Sequence, residues 1–402
     1  MAYQNISTPR FYIDYLTYWN HLGFIKDMAL TRLNESNGSE SIDATGIPIG
    51  LSPSKAFTIP SDTLSSMGRL SISLFLEEEN AIYRDEQLLA SQESGWMGVF
   101  GHNMGGQFAI PDSSYNNCRW ALTNIVYFSI YNSSVGGITN VSDSTIINHL
   151  FEAGLGGDVE GGAFPYDGFS MWKTTHNIDN NAPIDYLNFR FQPENNGSTI
   201  SISDLDISGW TMNSLCWGHY YDMPISPDLN LSMEIEYDGL DTVTTLGGAT
   251  LTNSRYKGPP SWNNLNPWEI AEHDTVSSRA FARNGRRIWT LKFSSMQDTD
   301  LFPSNSLASQ WYNLDSDNSS SDYGNDYDDT NSKFLYTIAT DNSFVARVLN
   351  YAITGTRFIF QPDSNNSQPD QFAICMLDKK SLKMKQTGFK TYSFSLKIKE
   401  VW

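Results

Sequence analysis

The chain has 402 residues, with 45 Asp and Glu against 26 Lys and Arg, for a formal charge of -19. That acidic excess argues against a nucleic-acid binder, which needs many phosphate-neutralising cations. Aromatic residues make up 13% of the chain, including 11 Trp and 20 Tyr, too much apolar surface for a disordered protein.

Charged residues are 18%, below the usual quarter, so much of the polarity comes from Asn, Ser and Thr. These residues compete for the backbone and favour turns and loops. The expectation is a mainly β protein, built from antiparallel sheets of β-sandwich or jelly-roll type with a few short helices.

Taken in order, residues 10–19 can be read two ways. Tyr12, Leu16 and Trp19 suit a helix face, and Phe11, Ile13 and Tyr15 suit a strand face. Residues 20–33 read as helical, and 34–46 as a polar connection. Strict alternation over 70–76 predicts a strand, as do 96–100 and the very apolar run 119–131. Asp143 or Ser144 as a cap predicts a short helix over 143–151. The glycine-dense run 154–168 lacks the Gly-Lys-Ser/Thr ending of a phosphate loop and reads as a flexible or subunit-contacting loop.

Strands are expected at 185–192 and 198–207, separated by a turn cluster. Residues 216–221 form an aromatic strand. The clearest alternation follows. Leu229, Leu231, Met233, Ile235 and Tyr237 share one parity, while Asn230, Ser232, Glu234 and Glu236 share the other. Such a period of two predicts a strand with one face buried and one wet. Residues 242–253 are weakly β. Further strands are expected at 288–293, 334–339, 344–349, 357–360, 371–377 and 391–402.

Breaks in this pattern suggest three units. Residues 1–50 form an N-terminal extension or anchor, and 51–258 a β-rich domain. Residues 259–402 form a second β-rich region with an acidic loop (298–332) and a basic terminal strand. Between residues 298 and 329 there are eight Asp and no Lys or Arg. A solvated loop is the plain reading of such a run. A pairing of Asp315, Asp317, Asp326 and Asp328 with Lys379, Lys383 and Lys397 of a neighbouring copy is the functional alternative.

Local catalytic spacing is absent. The six His, including His21 and His219, make neither His-X-His nor His-X-X-X-His and read as scattered surface or loop residues. Asp315, Asp317 and Asp322 are weak calcium candidates, because the EF-hand positions for Gly and the closing Glu hold Ser320 and Asp326. No Gly-X-Ser-X-Gly elbow occurs. Trp217, Tyr220, Tyr221 and Trp268 form a candidate aromatic contact or sugar-binding surface near Glu234, Glu236 and Glu269. A core role for them is the simpler alternative.

Cys118, Cys216 and Cys375 lie far apart and read as core residues, not a disulfide scaffold. The N-terminus has neither the basic nor the apolar part of a secretory signal, and no apolar run suits a membrane helix. No cofactor is expected.

Two stretches carry a resemblance. Tyr221-Asp222-Met223-Pro224 with Ser226-Pro227-Asp228-Leu229 runs on to Tyr237-Asp238-Gly239. Gly285-Arg286-Arg287-Ile288-Trp289-Thr290-Leu291-Lys292-Phe293-Ser294 is followed by Asp298-Thr299-Asp300. With residues 9–14 and 395–402, these patches resemble uncharacterised structural proteins of the virions of aquatic tailed bacteriophages. The resemblance covers about a quarter of the chain. It implies a virion component of tail or tail-proximal position, assembled in the host cytoplasm, which is not an enzyme. Its partners would be further copies of itself and other virion proteins. Capsid decoration, and a virion protein that binds or degrades host-surface glycan, are the alternatives.

Overall fold

The computed structural model describes residues 6–34, 38–42, 47, 49–51, 57–58, 69–76, 94–100, 118–129, 139–140, 142–152, 170–178, 186–195, 198–199, 211–229, 231–236, 240–254, 286–303, 341–352, 355–366, 371–378 and 382–401. Strands dominate, nearly all antiparallel, with only a few short helices between them.

The N-terminal stretch resolves its ambiguity by being both things in turn. Strand β1 (Arg10–Asp14) runs straight into helix α1 (Tyr15–Leu22). The switch is made by Asp14, whose carboxylate caps α1 by accepting from the Leu16 and Thr17 amides. Gly23, at φ 76°, ends the helix in the left-handed cap that glycine adopts without strain. The chain therefore leaves helix early, and the expected helical stretch 20–33 is instead strand β2 (Ile25–Asn34). Next come β3 (Gly38–Ile42), β4 (Phe57–Thr58), β5 (Arg69–Leu76), β6 (Gly95–Phe100), β7 (Cys118–Ser129) and β8 (Thr139–Asn140).

The helix expected over 143–151 is strand β9 (Ser142–Glu152). It pairs with β10 (Ser170–Ile178) along almost its whole length, so tertiary pairing overrides the capping signal. After β11 (Tyr186–Asn195), β12 (Ser198–Thr199) and β13 (Thr211–Met212) come the aromatic strand β14 (Ser214–Asp222) and the alternating strand β15 (Ser232–Glu236). A hairpin follows, made of β16 (Leu240–Thr244) and β17 (Thr250–Ser254).

The C-terminal part holds β18 (Arg286–Gln297), a short helix α2 (Asp298–Leu301), a π-helical turn (Val345–Leu349) and α3 (Asn350–Ala352). The π-turn lies where residues 344–349 were expected to be a strand. It faces α1 and packs Phe344, Val348 and Leu349 into the core, so its apolar residues are buried without sheet pairing. The chain closes with β19 (Phe358–Gln361), β20 (Ala373–Leu377), β21 (Lys385–Gly388) and β22 (Thr391–Glu400).

Two large sheets result. The first has the order β15-β18-β22-β20-β19-β1-β14-β6-β10-β9, with β21 beside β22. The second has the order β3-β2-β5-β11-β7-β8, with β12 beside β11. The first sheet takes strands from all three of the stretches 1–50, 51–258 and 259–402. The cause is the central position of β1, clamped between β14 and β19.

One core cluster joins the inner faces of both sheets. Phe11, Ile13, Val99, Trp217, Trp289 and Phe360 come from the first, and Leu30, Ile72, Leu74, Leu187 and Phe189 from the second. The opposite face of the first sheet is also buried in its middle, through Tyr12, Trp96, Phe100, Met171, Cys216, Ile359 and Ile374. Cys216 and Cys375 are free and buried, and the Cys118 side chain lies outside the described residues.

Candidate interaction surface

Buried polar groups fix the middle of the large sheet. Asp14 is fully buried, and besides capping α1 it accepts from the Thr17 hydroxyl and the Trp217 amide. One carboxylate thus ties β1, α1 and β14 together. Burial raises its pKa to about 6, with the four donors pulling the other way. Beside it, the Ile13 carbonyl accepts from the Trp96 indole at 2.9 Å. Gly218 makes this approach possible, because a Cβ there would sit 2.0 Å from the same carbonyl oxygen.

A cross-strand row runs Thr174, Gly95, His219, Ile13, Phe358, Cys375 and Glu400, spanning β10 to β22. His219 is wholly buried against Tyr15 and Tyr351, with ring centroids 5.0 and 6.0 Å away. It is neither a surface nor a loop residue, because its strand lies mid-sheet. Burial, with the nearby Arg347 charge, holds its pKa well below the ordinary value.

At the far end of the row Glu400 receives Arg287. The guanidinium makes a two-point contact with the carboxylate at 3.1 and 2.8 Å and donates to the Phe372 carbonyl at 3.0 Å. Both side chains are buried, so the pair binds β18 to β22 in the interior. Arg10 and Asp222 form a second forked pair at 2.5 and 2.7 Å, with Arg10 lying 4.5 Å over the Tyr220 ring. Lys173 lies over the same ring at 5.1 Å, its pKa lowered by burial and by Arg10.

Among the expected aromatic surface residues, Trp217 and Tyr221 are core, on the inner face of the sheet. Period two assigns them there, and it turns Tyr220 to the other face, where it is half-buried. Trp268 lies outside the described residues, as do Asp315, Asp317, Asp322, Asp326, Asp328 and Lys379. Lys383 is exposed. Lys397 pairs with Asp378 of its own chain at 2.9 Å, and Lys399 with Glu236, so part of the basic terminal strand is neutralised within the chain. No cluster of three potential metal-ligating side chains occurs among the described residues. No described helix is long and apolar enough to cross a membrane.

The largest departure from expectation is at β15. It forms one edge of the first sheet and pairs only with β18 among the described residues. Leu231 packs against the core, but Leu229 is fully exposed, and Met233 and Ile235 are 43% and 41% exposed. The alternation is real, yet its apolar parity is left largely uncovered. The hairpin that follows repeats the theme. Val243 and Leu251 oppose each other across it, at 62% and 60% exposure, and Leu246 stands fully exposed at its tip. Leu229, Met233, Ile235, Val243, Leu246 and Leu251 are six of the eight large apolar side chains that are exposed among the described residues. Clustering of this kind in sequence, on a strand edge and an arm, is what a protein-contact surface shows.

Comparison with known proteins adds no relative. The chain matches no protein-family model, no curated protein and no solved structure.

Proposed function

We propose that the protein is a structural component of a bacteriophage virion, tail or tail-proximal, that works through subunit contacts and not through catalysis. The observation that supports it is the uncovered apolar parity of β15 together with the arm of β16 and β17. A two-stranded hairpin with an exposed apolar face is marginal by itself, and a neighbouring subunit would stabilise it. The patchwise resemblance to phage structural proteins turns this from a contact surface into a virion role. Further copies of the chain and other virion proteins are its proposed partners.

Mass spectrometry of purified particles tests the reading. The expected result is the chain at a fixed, repeated stoichiometry relative to the other virion proteins. Absence from particles, with abundance only in infected-cell extract, would overturn it. Incubation with host surface polysaccharide tests the non-catalytic half. No new reducing ends are expected, and their reproducible release would reassign the protein as a depolymerase.

A further inference from the structure

We infer that the outer edge of β15 pairs antiparallel with the same strand of a second copy, across a two-fold axis through Met233, so that the large sheet continues from one subunit into the next. This rests on the subunit-contact reading above and names its partner.

The first argument is register. A two-fold axis perpendicular to a sheet keeps each face on its own side. Self-pairing of an edge strand must therefore centre on one residue. Centring on Glu234 sets Glu234 against its own copy. Centring on Ile235 sets Glu234 against Glu236. Like charges directly opposite destabilise a ladder. Centring on Ser232 or Leu231 pairs only residues 231–233, or Leu231 alone, within residues 231–236, against 231–235 for Met233. Centring on Met233 opposes no like charges within residues 231–236, and Asp228 and Asp238, which it sets against each other, lie outside the strand. It pairs Met233 with itself, Leu231 with Ile235, and Ser232 with Glu234. The exposed apolar parity then forms one continuous row across the junction.

Charge is the second argument. Two copies of a chain with formal charge -19 repel each other, so a contact between them must add little charge of its own. Glu236 is matched inside the chain by Lys399. In this register Glu234 stands opposite the uncharged Ser232 of the second copy. An edge made for a basic partner would leave Glu236 free. Residues 240–254 carry a single charged side chain, Asp241, so the arm approaches a like-charged neighbour at little electrostatic cost.

Disulfide trapping in the full chain reads the register directly. Paired residues in an antiparallel ladder have Cα atoms about 4.5 to 5.5 Å apart, within disulfide range. Met233→Cys is expected to give a covalent dimer under mild oxidation. Ile235→Cys alone is not, because its symmetry mate lies four residues along the strand, about 13 Å away. A mixture of Leu231→Cys and Ile235→Cys chains is expected to give the mixed dimer. Far-ultraviolet circular dichroism checks that each variant is folded. Self-linking of Ile235→Cys as efficient as that of Met233→Cys would overturn the register. A folded Met233→Cys chain that stays monomeric in oxidation and in sedimentation would overturn the second copy as occupant, leaving a different protein as partner. Particle mass spectrometry is independent of both results. A chain found in virions without cross-linking refutes this pairing alone, and cross-linking of a chain absent from virions refutes the virion role alone.

Discussion

Two buried groups make the interior respond to pH in opposite senses. Asp14 carries a pKa near 6 in the folded chain, above its ordinary 3.8. The folded state therefore holds a proton that the unfolded state has released between about pH 4 and 6. Asp14 contributes stability below that window and loses it as pH rises, by at most roughly 3 kcal/mol. His219 does the reverse. Its folded pKa is depressed, so its contribution is present above the unfolded value near 6.5 and is lost as pH falls. Denaturant titrations at several pH values, compared between wild type and single variants, separate the two. Subtracting Asp14→Asn from wild type should show a stability difference that depends on pH between about 4 and 6 and is flat above. Asp14→Ala should also cost about 2 to 4 kcal/mol at pH 7, because it removes a helix cap and strands the buried Trp217 amide. Of these residues, the sequence marks only the ambiguity around Asp14. A carboxylate that caps a helix and also reaches a strand 203 positions away leaves no local periodic trace.

Among the elements, the contacts that join strands are specific enough to break singly. Gly218→Ala would drive a methyl group to 2.0 Å from the Ile13 carbonyl oxygen and should weaken the β1–β14 pairing. A loss of about 3 kcal/mol in the unfolding free energy, read from a lowered denaturant midpoint, is the expected outcome. Arg287→Met should cost about 3 to 5 kcal/mol by leaving Glu400 charged and unpaired in the core, whereas Arg287→Met with Glu400→Leu should recover most of it. The strands themselves were legible where one face is buried and the chain alternates, as at β18 and β22, and where an aromatic or apolar run is buried on both faces, as at β6 and β14. They were misread where a local signal competed with a distant partner. The Asp-Ser cap before residue 145 points to a helix, but β10 supplies a ladder for β9. The apolar run 344–349 has a strand's composition but packs as a π-turn against α1. Alternation also revealed β15 without revealing its burial, since period two says which residues share a face and not what covers that face. The candidate site was legible to the same degree. The apolar row Leu229 to Ile235 stood out in the sequence, while its exposure needed the fold. Val243→Asp combined with Leu251→Asp should reduce self-association in sedimentation while leaving the thermal midpoint nearly unchanged, because both side chains are already in solvent.

At the scale of the whole molecule, charge and association pull against each other, and salt should show which force governs assembly. Each copy carries a formal charge of -19, so bringing two together is opposed by repulsion between their bodies. The contact itself is an apolar strand edge and arm, with Glu236 already matched by Lys399. Screening therefore removes the opposing term and leaves the attractive one almost untouched. Raising salt from about 0.01 M to about 0.1 M shortens the reach of exposed charges from about 30 Å to about 10 Å. Self-association measured by sedimentation equilibrium should tighten across that range. A partner attracted by the acidic surface would give the opposite slope, because the same screening would weaken its docking. Association that weakens with added salt would locate the contact on the acidic surface and remove β15 and its arm from the interface.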